Sequence, residues 1–170
     1  MIAEVTCFRS ATPEDVAAIA LLCERANAQR SGTPLPEVVQ DELAMQELPG
    51  RMAQPDAWTR VATNEGQLVG FSLGYPAEHD PTMPNAANAE YVSLLMVEPE
   101  YWGRLIGSRL LRLAAGHARN SKRDAVILWT REPDNARAHA FYEHNGYTST
   151  GDTRHKDGEL QRQYRLDLTK

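Results

Sequence analysis

From Glu90 to Tyr147 the chain reads as strand, helix, strand, helix, and this alternation constrains the fold more than any other feature. Tyr91 to Val97 is a nearly continuous apolar run, as expected for a strand buried on both faces. Pro99 ends it. A helix is expected from about Ile106 to Asn120, where Ile106, Leu110, Leu113, Ala114 and His117 are spaced for one face. Ala125 to Trp129 is a second buried strand. The helix that follows has Asp134 or Asn135 to accept a hydrogen bond from its first turn, and Gly146 to stop it in a left-handed conformation. Ala138, Phe141, Tyr142 and Asn145 share one of its faces. Such a succession is the core of a mixed α/β sheet.

The flanking segments extend this pattern. A short strand is expected near Glu4 to Arg9, and Thr12-Pro13-Glu14-Asp15 then reads as a helix start, with the helix running to about Ala28. Val16, Ile19, Ala20, Cys23 and Ala26 or Asn27 mark its buried stripe, which makes Cys23 a core thiol rather than a nucleophile. Pro-rich residues 31–56 contain one short helix, expected around Pro36 to Glu47, and are expected to cover one rim of an active site. Trp58 to Thr63 and Gln67 to Tyr75 form a hairpin joined by Asn64-Glu65-Gly66. Pro76 to Asn88 is a polar loop whose His79 and Asp80 either touch substrate or are simply solvated. The tail offers strands near Thr148 to His155 and Leu160 to Asp167.

With 170 residues and no linker or repeat, one domain spanning 1–170 is expected. A net charge of −5 argues against nucleic-acid binding, which wants a basic excess. Cys7 and Cys23 lack metal or disulfide-framework spacing, so neither a metal site nor a bridged scaffold is expected, and a reducing cytoplasmic setting follows. No stretch approaches about 18 consecutive apolar residues, so no membrane association is expected.

Residues 134–147 also carry a motif. Asn135, Arg137, Ala138, Phe141, Tyr142, Gly146 and Tyr147 match N-x-R-A-x-x-F-Y-x-x-x-G-Y/F at every specified position. The segment resembles the acyl-CoA-binding segment of the GNAT superfamily of N-acetyltransferases. The resemblance implies that family's fold, a mixed, mostly antiparallel twisted sheet flanked by helices, and the order of elements agrees. A second family pattern, Q/R-x-x-G-x-G/A, falls on Trp102, Gly103, Arg104, Leu105, Ile106 and Gly107. Only Gly107 matches. Trp102 stands for the usual Gln or Arg and Leu105 for the first Gly, and leucine restricts the torsions that glycine permits, so weakened diphosphate binding is expected. Gly103, Gly107, Ser108 and the Leu110-Leu111 pair fit the family's flanks.

The resemblance implies acetyl transfer from acetyl-CoA to an amine by direct attack in a ternary complex, without a metal. An amine like that of lysine costs about 4.6 kcal/mol to neutralise at pH 7, so a base or water path should assist. Tyr142 occupies the family's position for the acid that protonates the CoA sulfur, and Asn135 that of a pantetheine contact. Backbone amides of Leu95, Met96 and Val97 are implied to hold the pantetheine and polarise the thioester carbonyl. The loop from Trp102 to Ser108 is implied to hold the diphosphate, with Arg104, Arg109 and Arg137 as candidate phosphate partners. Glu90 stands where some members carry a general base, and reads equally as a carboxylate at a strand start; Glu98 and Glu100 are weaker candidates. Two alternatives keep the fold: a transferase using a longer acyl-CoA, and a catalytically weak acyl-CoA-binding or regulatory module. The amine is a small molecule or peptide of unspecified identity, and homodimers are common among such proteins.

Overall fold

A computed structural model describes residues 5–83, 86–132 and 134–170. Glu4 and Pro84-Asn85, which belong to the expected first strand and the polar loop, lie outside the described residues. Seven strands form one sheet in the order β1-β2-β3-β4-β5-β7-β6, flanked by helices. The pairs β1·β2, β2·β3, β5·β7 and β6·β7 are antiparallel, and β4·β5 is parallel. The chain divides into two compact units, each with its own logic.

The first unit holds the chain up to Gly74 together with Leu94–Leu110. It contains β1 (Thr6–Ser10), α1 (Val16–Ser31), α2 (Glu42–Met52), β2 (Trp58–Asn64) and the body of β3 (Gln67–Pro76). β2 and β3 turn through Glu65 and Gly66, at φ 48° and 79°, the paired positive torsions of a tight hairpin. Thr12 and Asp15 start the first helical segment as expected: the Asp15 carboxylate accepts the Thr12 amide at 2.7 Å and pairs with Arg9. Helix α1 buries Ile19, Ala20, Leu22 and Ala26.

Helix α2 lies further along the chain than expected. Asp41 caps it by accepting the Ala44 amide at 3.1 Å, and the Glu24 carboxylate accepts the amides of Gln40 and Asp41, fixing the entry. The helix then runs through Pro49, which sits in its last turn and so sacrifices little beyond one hydrogen bond. The unit's core packs Ala62, Val69, Ile106 and Leu110 against Phe8, Leu95, Val97 and Tyr101. Gly70 permits this approach, since a Cβ there would stand 3.0 Å from Ile106 Cγ2 and 3.4 Å from the Met96 carbonyl oxygen.

The second unit holds Tyr75–Ser93 and Leu111–Lys170. It takes the first half of β4 (Ala89–Val97), most of α3 (Ile106–Asn120), β5 (Ala125–Arg131), α4 (Ala136–His144), β6 (Thr148–Lys156) and β7 (Glu159–Asp167). Strand residues alternate between two faces. Glu90 approaches His117 of α3, Thr130 meets Asn135 at the start of α4, and Tyr164 meets Tyr142 of α4. Those residues mark the helix-covered face. Tyr91 and Trp129 point to the other, where Tyr91 stacks edge-on with Tyr75 and Trp129 lies under Arg154.

Candidate functional site

In the first unit the informative stretch is Leu94–Leu110. Strand β4 is buried from Ala89 to Val92, but Ser93 to Val97 are only half-buried. The apolar run was expected to be buried on both faces; its second half instead leaves the side chains of Leu94, Leu95, Met96 and Val97 partly open. Within the second unit, the parallel register with β5 covers Ala89–Val92 against Ala125–Leu128 and stops before Ser93 and Trp129.

After β4, Glu98 is buried, and its Oε1 accepts from both Nε and Nη2 of Arg25, at 2.7 and 2.6 Å. Arg25 also donates to the Pro36 carbonyl, which ties α1 to the end of β4. This engagement leaves Glu98 poorly suited as a base. Nothing in the local pattern around Arg25 signals its role, because its partner lies 73 residues away.

A single helical turn, Pro99–Tyr101, opens the loop. Trp102, in the place of the usual Gln or Arg, donates its indole N–H to the Val97 carbonyl at 2.8 Å and braces the loop on the strand. Arg104 lies 4.7 Å over the Tyr101 ring, and Arg109 lies 5.4 Å over Phe8. Gly103 and Leu105 both take left-handed torsions, at φ 79° and 63°. Leucine was expected to restrict this turn. Leu105 nevertheless adopts the conformation a glycine would take, with its side chain 69% exposed. Strain at Leu105 thus replaces distortion of the loop.

The first amide with a helical partner after this loop is that of Arg109, which donates to the Leu105 carbonyl at 3.0 Å. The amides of Ile106, Gly107 and Ser108 precede it and have no partner within the helix. Together with the helix dipole they form a surface suited to a diphosphate.

In the second unit, Asn135 occupies the cap position of α4 but does not cap with its side chain. Its Nδ2 donates to Thr130 Oγ1 at 3.0 Å and to the Arg131 carbonyl at 3.2 Å, leaving Oδ1 as an acceptor. Gly146, at φ 88°, ends the helix region as expected. Arg137 is exposed at the start of α4. Tyr142 is half-buried among the rings of Phe141, Tyr147 and Tyr164, at 5.2, 6.2 and 5.8 Å between centroids. Burial pushes its phenol up to about 12, so it stays protonated at neutral pH. The hydroxyl has no hydrogen-bond partner among the described residues. A protonated, unengaged phenol can donate to a group that arrives.

Glu90 has a different environment. It is 1% exposed, with Arg123 Nε at 3.6 Å and His117 Nε2 at 3.9 Å. A general base has to be reached by the amine or by one water. This carboxylate lies buried beside Arg123, whose Nη1 pairs with Glu78 at 2.7 Å. Asp80, a candidate substrate contact, accepts from Thr82 and from the Tyr75 hydroxyl. Burial pushes the Cys23 thiol up to about 12, which makes it unreactive. Among the described residues no three His, Cys, Asp or Glu side chains are grouped to hold a metal, and no helix is long and apolar enough to cross a membrane.

Residues 17–147 match the profile of the Acetyltransferase (GNAT) family. The chain belongs to the GNAT acetyltransferase family. A search of curated protein sequences finds no significant match. Among solved structures, the fold is similar to PaiA N-acetyltransferase from Thermoplasma acidophilum in complex with coenzyme A, at TM-score 0.68, 15% identity and coverage of 96% of this chain and 99% of that one. It is similar also to the ribosomal-protein-S18-alanine N-acetyltransferase of Escherichia coli, at 0.72, 17%, 98% and 96% on the same measures. Nourseothricin acetyltransferase follows at 0.66, 23%, 95% and 98%. At these identities the likeness is one of fold, and the GNAT assignment rests on the family profile.

Proposed function

We propose that this GNAT protein is an N-acetyltransferase that moves an acetyl group from acetyl-CoA to the amine of a small molecule or peptide. The observation that carries the reading is the stretch Leu94–Leu110, where a half-open apolar strand end runs into a helix start with unpartnered amides. The first suits a pantetheine arm, and the second suits a diphosphate. In this reading the backbone of Leu95, Met96 and Val97 holds the arm, and Gly103 to Ser108 hold the phosphates, braced by Trp102. Asn135 Oδ1 accepts a pantetheine amide. Arg104, stacked on Tyr101 at the edge of this loop, is a candidate phosphate partner, while Arg137 adds positive charge at the surface.

Acetyl-CoA supplies the activated thioester. The acceptor nitrogen attacks the carbonyl carbon, the carbon–sulfur bond breaks, and the Tyr142 hydroxyl gives its proton to the departing sulfur. The proton shed by the nitrogen restores the phenol through water. We assign its removal to solvent rather than to Glu90, which acts as a positioning residue for Arg123 and His117. No metal is required, and the free thiols of Cys7 and Cys23 accord with a cytoplasmic setting.

Calorimetric titration with acetyl-CoA, with free CoA as comparison, tests the reading. Saturable binding near one equivalent is the expected result, followed by thiol release when amines are added. Absence of binding at about millimolar ligand would overturn it in favour of a regulatory module.

A further inference from the structure

Arg154 on β6 differs from the half-buried arginines that hold ion pairs. Arg25, Arg123 and Arg162 each pair with a carboxylate. Arg154, half-buried, has only neutral partners among the described residues. Its Nε donates to Gln161 Oε1 at 2.8 Å, Nη1 to Thr82 Oγ1 at 2.9 Å and Nη2 to the Tyr91 hydroxyl at 3.2 Å. Its guanidinium lies 4.5 Å over the Trp129 ring. The neighbours are themselves fixed. Thr82 gives its hydroxyl proton to Asp80 at 2.6 Å and so turns a lone pair to Arg154, while the Trp129 indole N–H meets Met83 Sδ at 3.2 Å.

A guanidinium has five N–H donors. Three are spent here, one on each nitrogen, which leaves one on each terminal nitrogen. Two such donors on one guanidinium can take a carboxylate through two hydrogen bonds. The charge is held rigidly, stacked, half-exposed and without a direct counter-ion. It also lies with Tyr91 and Trp129 on the sheet face opposite α3 and α4 in its unit.

We infer that Arg154 docks a carboxylate of the acceptor, so that the amine acetylated belongs to an amino acid or a similarly carboxylated amine. This rests on the transferase reading for its function, but the docking site can be tested without turnover.

The first arm presents the protein and acetyl-CoA with a mixture of common L-amino acids and the matching mixture of their amides, with acetylated products identified by mass spectrometry. Carboxylated acceptors should dominate. Arg154→Gln should lower their acetylation by about 10- to 100-fold, the scale of a lost charge-assisted contact, while acetylation of the amides and binding of acetyl-CoA hold. Arg154→Lys, which keeps the charge without the fork, should fall between. The second arm omits acetyl-CoA and follows the Trp129 indole resonance of isotope-labelled protein, assigned by its loss in Trp129→Phe. The amino-acid mixture should shift it saturably in the native protein, and the amides should not. Equal use of acids and amides, or an indole resonance indifferent to the amino acids, would overturn the inference. Failure to acetylate any amine would sink the transferase reading instead, and the indole arm would still decide the carboxylate site.

Discussion

Leu105 makes the most quantitative claim in the phosphate loop, because it holds a left-handed torsion of 63° that a β-carbon disfavours. Replacing it with glycine relieves about 1–2 kcal/mol of that strain. Two losses oppose the gain. Glycine adds freedom to the unfolded chain, worth about 0.4–1 kcal/mol. The leucine side chain, 69% exposed, also gives up roughly a third of the about 1.5–3 kcal/mol that full burial would supply. These contributions nearly cancel, so Leu105→Gly should change stability by less than about 1 kcal/mol, which is within about 2–4 °C in Tm for a chain of this size.

Leu105→Val gains nothing from the torsion and brings a β-branched side chain into it, so it should cost about 1–2 kcal/mol. Urea unfolding of both variants separates the cases. The same geometry sets the effect on acetyl-CoA. Since the loop already has a glycine-like backbone, Leu105→Gly should alter Kd by no more than about threefold. A valine variant as stable as the native protein would show that the left-handed torsion is not held. Tightening beyond about tenfold in the glycine variant would show that leucine distorts the phosphate cradle after all.

Asp15 and Tyr142 supply the remaining tests. Arg9 and the Thr12 amide hold the Asp15 carboxyl down at about 2 in the folded protein, below the unfolded value near 3.9. Its stabilisation is therefore fully present above about pH 4 and is lost as pH falls toward about 2. Because Arg9 is 46% exposed, about 1–2 kcal/mol is expected after allowing for solvent screening. Asp15→Asn should lose that amount near neutrality and almost nothing near pH 2, by urea unfolding; a loss that ignores pH would remove the ion pair as its cause. Tyr142→Phe should lower kcat by at least about tenfold with little change in acetyl-CoA Kd. With the phenol near 12, the native enzyme should show no alkaline loss of kcat from this group below about pH 11, and such a loss, abolished in the Phe variant, would contradict the burial argument.

The candidate site residues that the sequence singles out are those that lie close together in the chain. The α4 segment, with Asn135, Tyr142 and Gly146, is legible because helix spacing and a fixed motif coincide, although the Asn135 side chain turns to Thr130 and Arg131 instead of capping. The loop from Trp102 to Ser108 was located by the same means, but a residue type limits a torsion without excluding it, so Leu105 reads as a defect in sequence and as a strained conformer in space. Glu90 was ambiguous for the opposite reason. Its neighbours Arg123 and His117 come from α3 and the turn after it, and no local pattern reveals that they enclose it. Arg154 was invisible altogether, since its contacts with Thr82 and Tyr91 span 72 and 63 residues. Helix and strand periodicity reports which side of an element faces inward, whereas the partner of a charge is set by how distant elements are placed. The candidate cofactor-binding residues of this GNAT protein are mostly of the first kind. Arg154, proposed here as a determinant of the acceptor, is of the second, because its partners come from segments distant in the chain.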